Sequence, residues 1–284
     1  MKFRGVITDS SQISAMVRVL QSMSKFWDTF FVRLTDQQMQ MIADRTNSLA
    51  PFVVKCDLNV TEYFDEYEFN GFNDENNVIV FEMRSQCVSQ VMTSLLANIK
   101  SMKLKLIMKS GLKMLVIAVE YPTHDADRSV RHDIRVDIPP LQYWDQIYGL
   151  NVDTYDLSIK LPETRAIIST IERLNEMCSY LTIKVKPTEN NKAVLTIGVE
   201  SDSIALKTTF TDLEINSSDD NEEIDGRHWV SIRISVKKFN IIFNTLKTLK
   251  PNFITCNVKD KNKIYFQFFH NFANFQAILP NIEA

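Results

Sequence analysis

The residue types that most often perform catalysis or bind metals lack, in this sequence, the spacing that such chemistry requires. Zinc sites need donors a few residues apart, but the cysteines form no C-x-x-C pair and none has a neighbouring histidine. We therefore expect no metal site and four reduced, structural thiols. Asp125-Ala126-Asp127 could supply half a metal site, but close to Pro122 it is more typical of an exposed turn. The histidines and cysteines without the spacing of a metal site are His124, His132, His228, His270, Cys56, Cys87, Cys178 and Cys256.

Glycine-rich phosphate loops are also missing from the sequence. The chain has 6 glycines in 284 residues and contains neither G-x-x-x-x-G-K-[ST] nor G-x-G-x-x-G, which excludes the two usual nucleotide cradles. No nucleophile elbow or other sequence context for a Ser/His/Asp triad is present. The sequence therefore argues against an ATPase or a dinucleotide-dependent enzyme and makes an enzyme of any kind a weaker expectation. A hydrolase on a β-rich scaffold stays as an alternative, because triads are assembled in space rather than in sequence.

The residues that do suggest a function are basic ones in four segments with helical periodicity. The chain carries a net charge of −3, yet residues 10–25, 84–103, 163–180 and 236–250 together carry +8, which leaves −11 elsewhere. On the first helix the cations lie opposite the apolar stripe of Ile13, Val17 and Leu20. Basic helix faces favour contact with the backbone of a polyanion, without base readout. The alternative for each cation is an ordinary solvated helix face, and 163–180, at −1, is the exception.

The elements that must position these cations are mostly strands. Alternation of apolar and polar residues predicts strands at 2–8, 29–34, 78–83, 103–108, 114–121, 130–138, 157–161, 181–186, 194–199, 204–210, 230–235, 253–258, 264–269 and 275–279. Only four stretches have helical periodicity, and their apolar stripes begin at Ile13, Val88, Ile167 and Val236. The sequence thus predicts an α+β protein in which strands outnumber helices.

The order of the elements repeats along the chain. Residues 78–95 align without gaps on residues 229–246, an offset of 151, and a helix follows the same strand in both copies. Such a repeat of pattern predicts two related domains, at 1–138 and 157–284, joined by a connector at 139–156. The connector is rich in apolar residues, whereas linkers are normally polar, so we expect it to pack against a neighbouring surface.

An apolar connector left in water would form an exposed patch, and such patches usually mark binding sites. We therefore expect it to border a groove for short client peptides. The alternative for Trp144 is that it only anchors the connector to the core. The candidate groove residues are Leu141, Tyr143, Trp144, Ile147 and Tyr148.

Short motifs spread over nearly the whole chain resemble the Hus (hydroxyurea-sensitivity) family of subunits of the DNA-damage checkpoint clamp. They run from Met1-Lys2-Phe3-Arg4 through Tyr63-Phe64-Asp65-Glu66-Tyr67 and Leu157-Ser158-Ile159-Lys160-Leu161-Pro162 to Ile278-Leu279-Pro280. The resemblance implies two tandem sliding-clamp (PCNA-like) domains, each β-rich with two helices, that form part of a pseudo-hexagonal ring. The homotrimeric processivity clamp, PCNA, is a looser match, and a β-rich adaptor that does not bind DNA is a further alternative.

The resemblance also implies partners and a cellular location. Such a subunit joins two related clamp subunits in a heterotrimeric ring, which an ATP-dependent clamp loader places on double-stranded DNA without sequence specificity. The ring recruits checkpoint and repair proteins in the nucleus and has no catalytic activity, no cofactor and no membrane contact. The basic residues that fall in the ring-lining segments are Arg18, Lys25, Lys100, Arg165, Arg173, Lys237 and Lys238.

Two segments match the exposed sheet edges through which clamp subunits join, Met114–Tyr121 and 203–210. Exposed apolar edges recruit other strands, and two chemically different edges predict a head-to-tail contact that a ring can close. The alternative for Met114–Tyr121 is an ordinary strand that is already paired within its own sheet. The interface candidates are Leu115, Ile117 and Val119 on the first segment, and Ile204, Leu206 and Thr208 on the second.

Overall fold

In the computed structural model, strands dominate both halves of the chain, as the alternation predicts. The structure describes residues 1–44, 52–73, 77–95, 98–122, 128–144, 155–188, 191–200, 205–216 and 229–282. The chain divides into two compact units, one built mainly from Met1–Asp44 and Val54–Leu150 and the other mainly from Asn151–Asn271 and Phe275–Ala284. The domain limits at 138 and 157 stay a prediction, because most of the connector lies outside the described residues.

In the first unit, antiparallel strands are adjacent in the order β4-β3-β2-β6-β9-β8-β7-β1-β5. The helix α1 packs on α3 and contacts β3 and β7, so both longer helices lie together. The elements are β1 (Lys2–Ile7), α1 (Ser10–Met23), β2 (Thr29–Leu34), β3 (Gln38–Ala43), β4 (Val53–Asn59), α2 (Val60–Tyr63), β5 (Glu66–Asn70), β6 (Ile79–Arg84), α3 (Ser85–Ser94), β7 (Ser101–Lys109), β8 (Leu112–Tyr121) and β9 (Arg128–Asp137).

In the second unit, a four-stranded sheet has the order β13-β12-β11-β14, and the remaining strands are adjacent in the order β10-β15-β16-β17. The helices α4 and α5 pack on each other, and both contact the four-stranded sheet. The elements are β10 (Leu157–Lys160), α4 (Thr164–Asn175), β11 (Tyr180–Thr188), β12 (Lys192–Glu200), β13 (Ala205–Glu214), β14 (Val230–Ser235), α5 (Val236–Leu246), a 3₁₀ turn (Lys247–Leu249), β15 (Phe253–Lys259), β16 (Lys263–Phe269) and β17 (Asn274–Pro280).

The predicted internal repeat is confirmed by the strand–helix units β6-α3 and β14-α5. Shifting Ile79–Arg84 by the offset of 151 gives Val230–Ser235, and in both units a helix starts at the next residue. The caps differ: the Ser235 hydroxyl accepts from the Lys238 backbone N–H at 3.4 Å, whereas Arg84 holds the first cap position without a side-chain hydrogen bond. The repeat thus lies in the order of strand and helix rather than in the identity of the residues.

An aromatic cluster holds α5 against β16. The Phe239 and Phe243 rings lie 4.7 Å apart, and the Phe266 ring is 5.3 Å from Phe239 and 5.4 Å from Phe243. All three residues are 1% exposed or less, and truncating one such ring typically costs ~3–5 kcal/mol. Because the cluster fixes the rotation of α5, it also determines which residues of the helix face water.

The expectation that Met114–Tyr121 forms an exposed sheet edge is wrong. The strand β8 pairs with β7 on one side and with β9 on the other along nearly its whole length. The predicted interface residues Leu115, Ile117 and Val119 are buried. The uncharged apolar run therefore belongs to an interior strand here, whose backbone groups pair with a neighbour on each side.

Two strands of the first unit have an open side in the described residues: β5, at the end of the strand order, and β9. Its residues Arg128–Arg135 pair with β8, whereas β6 pairs with Val136 and Asp137 alone among the described residues. In the second unit, β13 lies at the end of the four-stranded sheet, as expected for 203–210. Leu206 and Thr208 are half-buried there, and Ile204 lies outside the described residues.

The effect of proline substitutions on folding should distinguish the interior strand β8 from the edge strand β13. Neighbouring residues of an antiparallel strand pair on opposite sides, so both Val116→Pro and Ile117→Pro remove a ladder hydrogen bond. We expect each to destabilise the first unit severely, since losing the buried Ile117 side chain alone costs ~2–5 kcal/mol. On β13, either Leu206→Pro or Lys207→Pro should leave folding intact. Circular dichroism and thermal unfolding check this, and equal damage at both strands would contradict the edge assignment.

Candidate nucleic-acid interface

One predicted cation lies on the exposed face of α1. The Asp9 carboxylate caps the helix by accepting from the backbone N–H groups of Ser11 at 2.8 Å and Gln12 at 3.0 Å. Hydrogen bonds from the Ser11 hydroxyl and from these amides hold the pKa of Asp9 below its ordinary value of 3.8. Arg18 is exposed on the helix, whereas Lys25 is exposed in the turn after it, because α1 ends at Met23.

The first unit offers less helical charge than the sequence suggested. The helix α3 ends at Ser94 and contains no charged residue. Lys100 therefore lies on no helix, which corrects its assignment: it is exposed before β7, and its backbone N–H donates to the Glu120 carbonyl oxygen at 2.7 Å. Beside α1, a shallow groove of about 460 Å³ is lined by Arg18, whose guanidinium can donate to phosphate oxygens, and by serine and apolar side chains. The hydroxyls of Ser11 and Ser14 already donate to the Asp9 carboxylate and to the Ser10 carbonyl oxygen.

The helices of the second unit carry a denser set of exposed cations. Arg165 and Arg173 are exposed on α4, and Lys237 is exposed on α5. The acidic Glu172 is also exposed on α4, but its Oε1 lies 3.9 Å from the Nζ of Lys247. Lys247 was not among the predicted site residues. Because Lys247 pairs with Glu172, the negative charge of Glu172 weakens the attraction of this surface for anions less than it otherwise would.

Lys238 differs from its neighbour Lys237. Its side chain is half-buried, and its Nζ lies 5.8 Å from the centre of the Phe52 ring. Burial lowers the pKa of its ammonium group. A cation held over an aromatic face contributes to packing, so Lys238 is a weaker candidate for phosphate contact than Lys237.

The four-stranded sheet of the second unit has one closed end and one open end. At the β14 end, the Ser231 and Arg233 N–H groups donate to the side chains of Asp260 at 2.8 Å and Asn281 at 2.9 Å. The backbone N–H groups of Lys261 and Ile282 donate to the carbonyl oxygens of Ser231 and Arg233, respectively. At the other end, β12 is the one strand that pairs with residues 205–210 in the described part of the chain.

The beginning of the connector combines one buried and two exposed apolar residues. The Trp144 indole N–H donates to the Pro139 carbonyl oxygen at 2.9 Å, and its ring lies edge-on to Phe72 at 5.8 Å. Trp144 is 7% exposed, whereas Leu141 and Tyr143 are 43% and 45% exposed. Phe72, at 43% exposed, joins this patch and was not identified from sequence. The predicted groove residues Ile147 and Tyr148 lie outside the described residues.

The described residues contain neither a metal site nor a membrane-spanning helix. Within the described ranges, no group of three or more His, Cys, Asp and Glu side chains could hold a metal ion. In the same part of the chain, no helix is long and apolar enough to cross a membrane.

The sequence of the whole chain decides its family. A model of the family described as Hus1-like protein matches residues 1–283. The chain belongs to this family. It is 24% identical over 284 residues to the human Checkpoint protein HUS1, covering 99% of both chains. It is 23% identical over 271 residues to Checkpoint protein Hus1-like of Drosophila melanogaster, covering 94% of both chains.

The fold of this Hus1-like chain is that of a sliding clamp. The structure superposes on the crystal structure of Proliferating Cellular Nuclear Antigen from Entamoeba histolytica with a TM-score of 0.71, covering 99% of both chains at 13% sequence identity. The fold class expected from the resemblance is therefore confirmed: an α+β, β-rich protein with the clamp architecture.

Two neighbouring aromatic residues of this Hus1-like chain should respond differently to truncation. We expect Trp144→Ala to destabilise the protein by ~3–5 kcal/mol, because it removes a buried ring and the hydrogen bond to Pro139. Tyr143→Ala should change stability by less than ~0.5 kcal/mol, as is usual for exposed positions. Urea denaturation of both variants measures this, and a large loss for Tyr143→Ala would show that the patch belongs to the core.

Proposed function

We propose that this chain is a subunit of a ring-shaped DNA-damage checkpoint clamp that encircles double-stranded DNA. It acts in the nucleus as a non-enzymatic platform to which checkpoint and repair proteins bind. Membership of the Hus1-like family over residues 1–283, the printed names of its human and Drosophila relatives and the clamp fold support this proposal.

The observation that most directly supports the proposed DNA contact is the cationic helix surface of the second unit. Arg165, Arg173 and Lys237 are exposed on α4 and α5, and the nearby Glu172 is within ion-pair distance of Lys247. Flexible cations on a helix face neutralise phosphates and release counterions, which gives affinity without sequence preference. Such contacts suit a ring that must slide, since they do not depend on the bases.

The subunit contacts are proposed at one open strand side in each unit. Residues 128–135 of β9 and 205–210 of β13 each have an unpaired backbone side in the described structure, and a neighbouring strand would satisfy these groups. The two edges differ in sequence, so each meets the opposite kind on a neighbour and the chain of contacts closes as a ring. The neighbours are two related clamp subunits, and an ATP-dependent loader opens the ring around DNA.

Removing two helix cations should weaken DNA retention in a salt-dependent manner. In the assembled ring, we expect Arg165→Gln with Lys237→Gln to lower the log–log slope of DNA affinity against salt by up to ~0.9 per lost phosphate contact. Filter binding or anisotropy with a closed duplex measures this slope. The matched control is Lys103→Gln with Lys105→Gln, two exposed lysines on β7, which should leave it unchanged. An identical slope in both double variants would refute phosphate contact by α4 and α5.

The state of assembly should distinguish the checkpoint clamp from a homotrimeric processivity clamp. We expect light scattering to give a monomer for the chain alone and a complex with one copy of each subunit when both related clamp subunits are present. Whichever of Leu206→Pro and Lys207→Pro folds normally should still lose one of the two contacts. A stable homotrimer that ignores both relatives would contradict the proposal and favour the processivity clamp.

A further inference from the structure

The four-stranded sheet of the second unit has a polar face opposite the helices. Alternate residues of β11 are buried, among them Leu181, Ile183 and Val185, on the side where α5 contacts β11 and β14. The intervening residues point to the other side. We call that side the polar face, and it is formed by Thr182, Lys184, Lys186, Thr196, Lys207, Thr209, Ser231 and Arg233.

A shallow groove of about 550 Å³ crosses this polar face. Its lining includes Thr182, Lys184, Thr196, Lys207, Thr209 and Trp229. Gly198 forms part of the floor, and a Cβ there would lie 2.7 Å from the Leu206 carbonyl oxygen and 2.9 Å from the Cγ of Lys207. Glycine therefore keeps the floor low where β12 and β13 approach each other.

Two exposed aromatic rings lie at opposite ends of the β11–β14 pair. Trp229 is 45% exposed and Tyr180 is 43% exposed. Tyr180 pairs with Ser235, while Trp229 immediately precedes Val230, the partner of Val185. At ~3.3 Å per residue the two rings are about 20 Å apart along the strands.

A cation lies over each of these rings. The Lys186 Nζ is 5.9 Å from the centre of the Trp229 ring, and the Arg233 guanidinium is 5.3 Å from the centre of the Tyr180 ring. Since these two cations are held over aromatic faces, Lys184 and Lys207 are the stronger candidates for phosphate contact on the polar face. The acid that lines the groove, Glu200, lies 3.3 Å from the Nζ of Lys207. The face therefore combines positive charge, hydroxyl donors and aromatic rings.

We propose that this polar face binds single-stranded nucleic acid. Lysines and threonine hydroxyls donate to the phosphates, and unpaired bases stack on Trp229 and Tyr180, the combination on which sequence-tolerant single-strand sites rely. A duplex keeps the faces of its bases stacked internally, so it would leave both rings unused. An acidic peptide would use the cations but not a pair of separated rings. The site lies on the opposite side of the sheet from α4 and α5, so it goes beyond the proposed duplex contact.

Binding of a labelled oligothymidylate to the full-length chain tests this proposal. A length of about 12 nucleotides lies within the ~4–16 typical of single-strand sites. We expect Trp229→Ala to weaken binding between about fivefold and a hundredfold and Trp229→Phe to restore most of it. Lys184→Gln and Lys207→Gln should each lower the salt slope by ~0.7. Fluorescence anisotropy over a salt series from ~50 to ~200 mM measures the affinity and the salt slope of all four variants.

Matched controls keep the two nucleic-acid surfaces distinguishable. Phe253→Ala removes another exposed aromatic residue, on β15, and Lys105→Gln removes another exposed strand lysine; neither should change oligothymidylate binding. Lys237→Gln should leave it unchanged too, while Trp229→Ala should leave duplex retention by the assembled ring unchanged. The proposal is overturned if the wild-type chain does not bind the oligonucleotide, if Trp229→Ala binds it normally, or if a polyglutamate peptide binds as tightly with the same dependence on Trp229.

Discussion

The packing of helix pairs on one face of each sheet is the constraint on which the other surfaces depend. In the second unit, Phe239, Phe243 and Phe266 fix α5 through a fully buried aromatic cluster. Because this cluster sets the rotation of the helix, Lys237 has to face solvent while Lys238 is drawn towards Phe52. The helices α4 and α5 also contact one face of the four-stranded sheet, and the opposite face carries threonines, lysines and an exposed tryptophan. Helix packing thus leaves two exposed surfaces of different chemistry in this unit.

Backbone hydrogen bonding decides where another chain could attach. A sheet edge exposes alternating donors and acceptors, and proteins usually cover such edges. At β14 this chain covers the edge itself with Asp260 and Asn281 side chains and with the amides of Lys261 and Ile282. Its opposite end, residues 205–210 of β13, has β12 alone beside it in the described residues. Since four hydrogen bonds close one edge, the lack of similar cover on the other edge among the described residues supports a partner strand there more strongly than exposure alone would.

The sequence predicted the elements whose signal is local and missed features that depend on tertiary context. The unit β14-α5 was predictable because alternation over Val230–Ser235 changes to helical period at the next residue. The strand β3 was missed because Gln40 interrupts its apolar pattern; in the fold Gln40 is buried and donates to Asp57 at 2.8 Å. The edge was assigned to β8 rather than β9 because an apolar run does not reveal how many neighbours a strand has. Lys100 was assigned to a helix because the apolar spacing continues to Ile99, although the backbone leaves helical geometry at Leu95.

The distribution of cations argues for unequal roles of the two units in holding a polyanion. With the helix bounds of the structure, the first unit has Arg18 on α1 and no charge on α3, whereas the second has Arg165, Arg173, Lys237 and Lys238 against Glu172. Each phosphate contact adds to the salt-dependent part of the affinity for a polyanion. Under the proposed DNA contact, the helices of the second unit therefore contribute more of this attraction than the helices of the first unit.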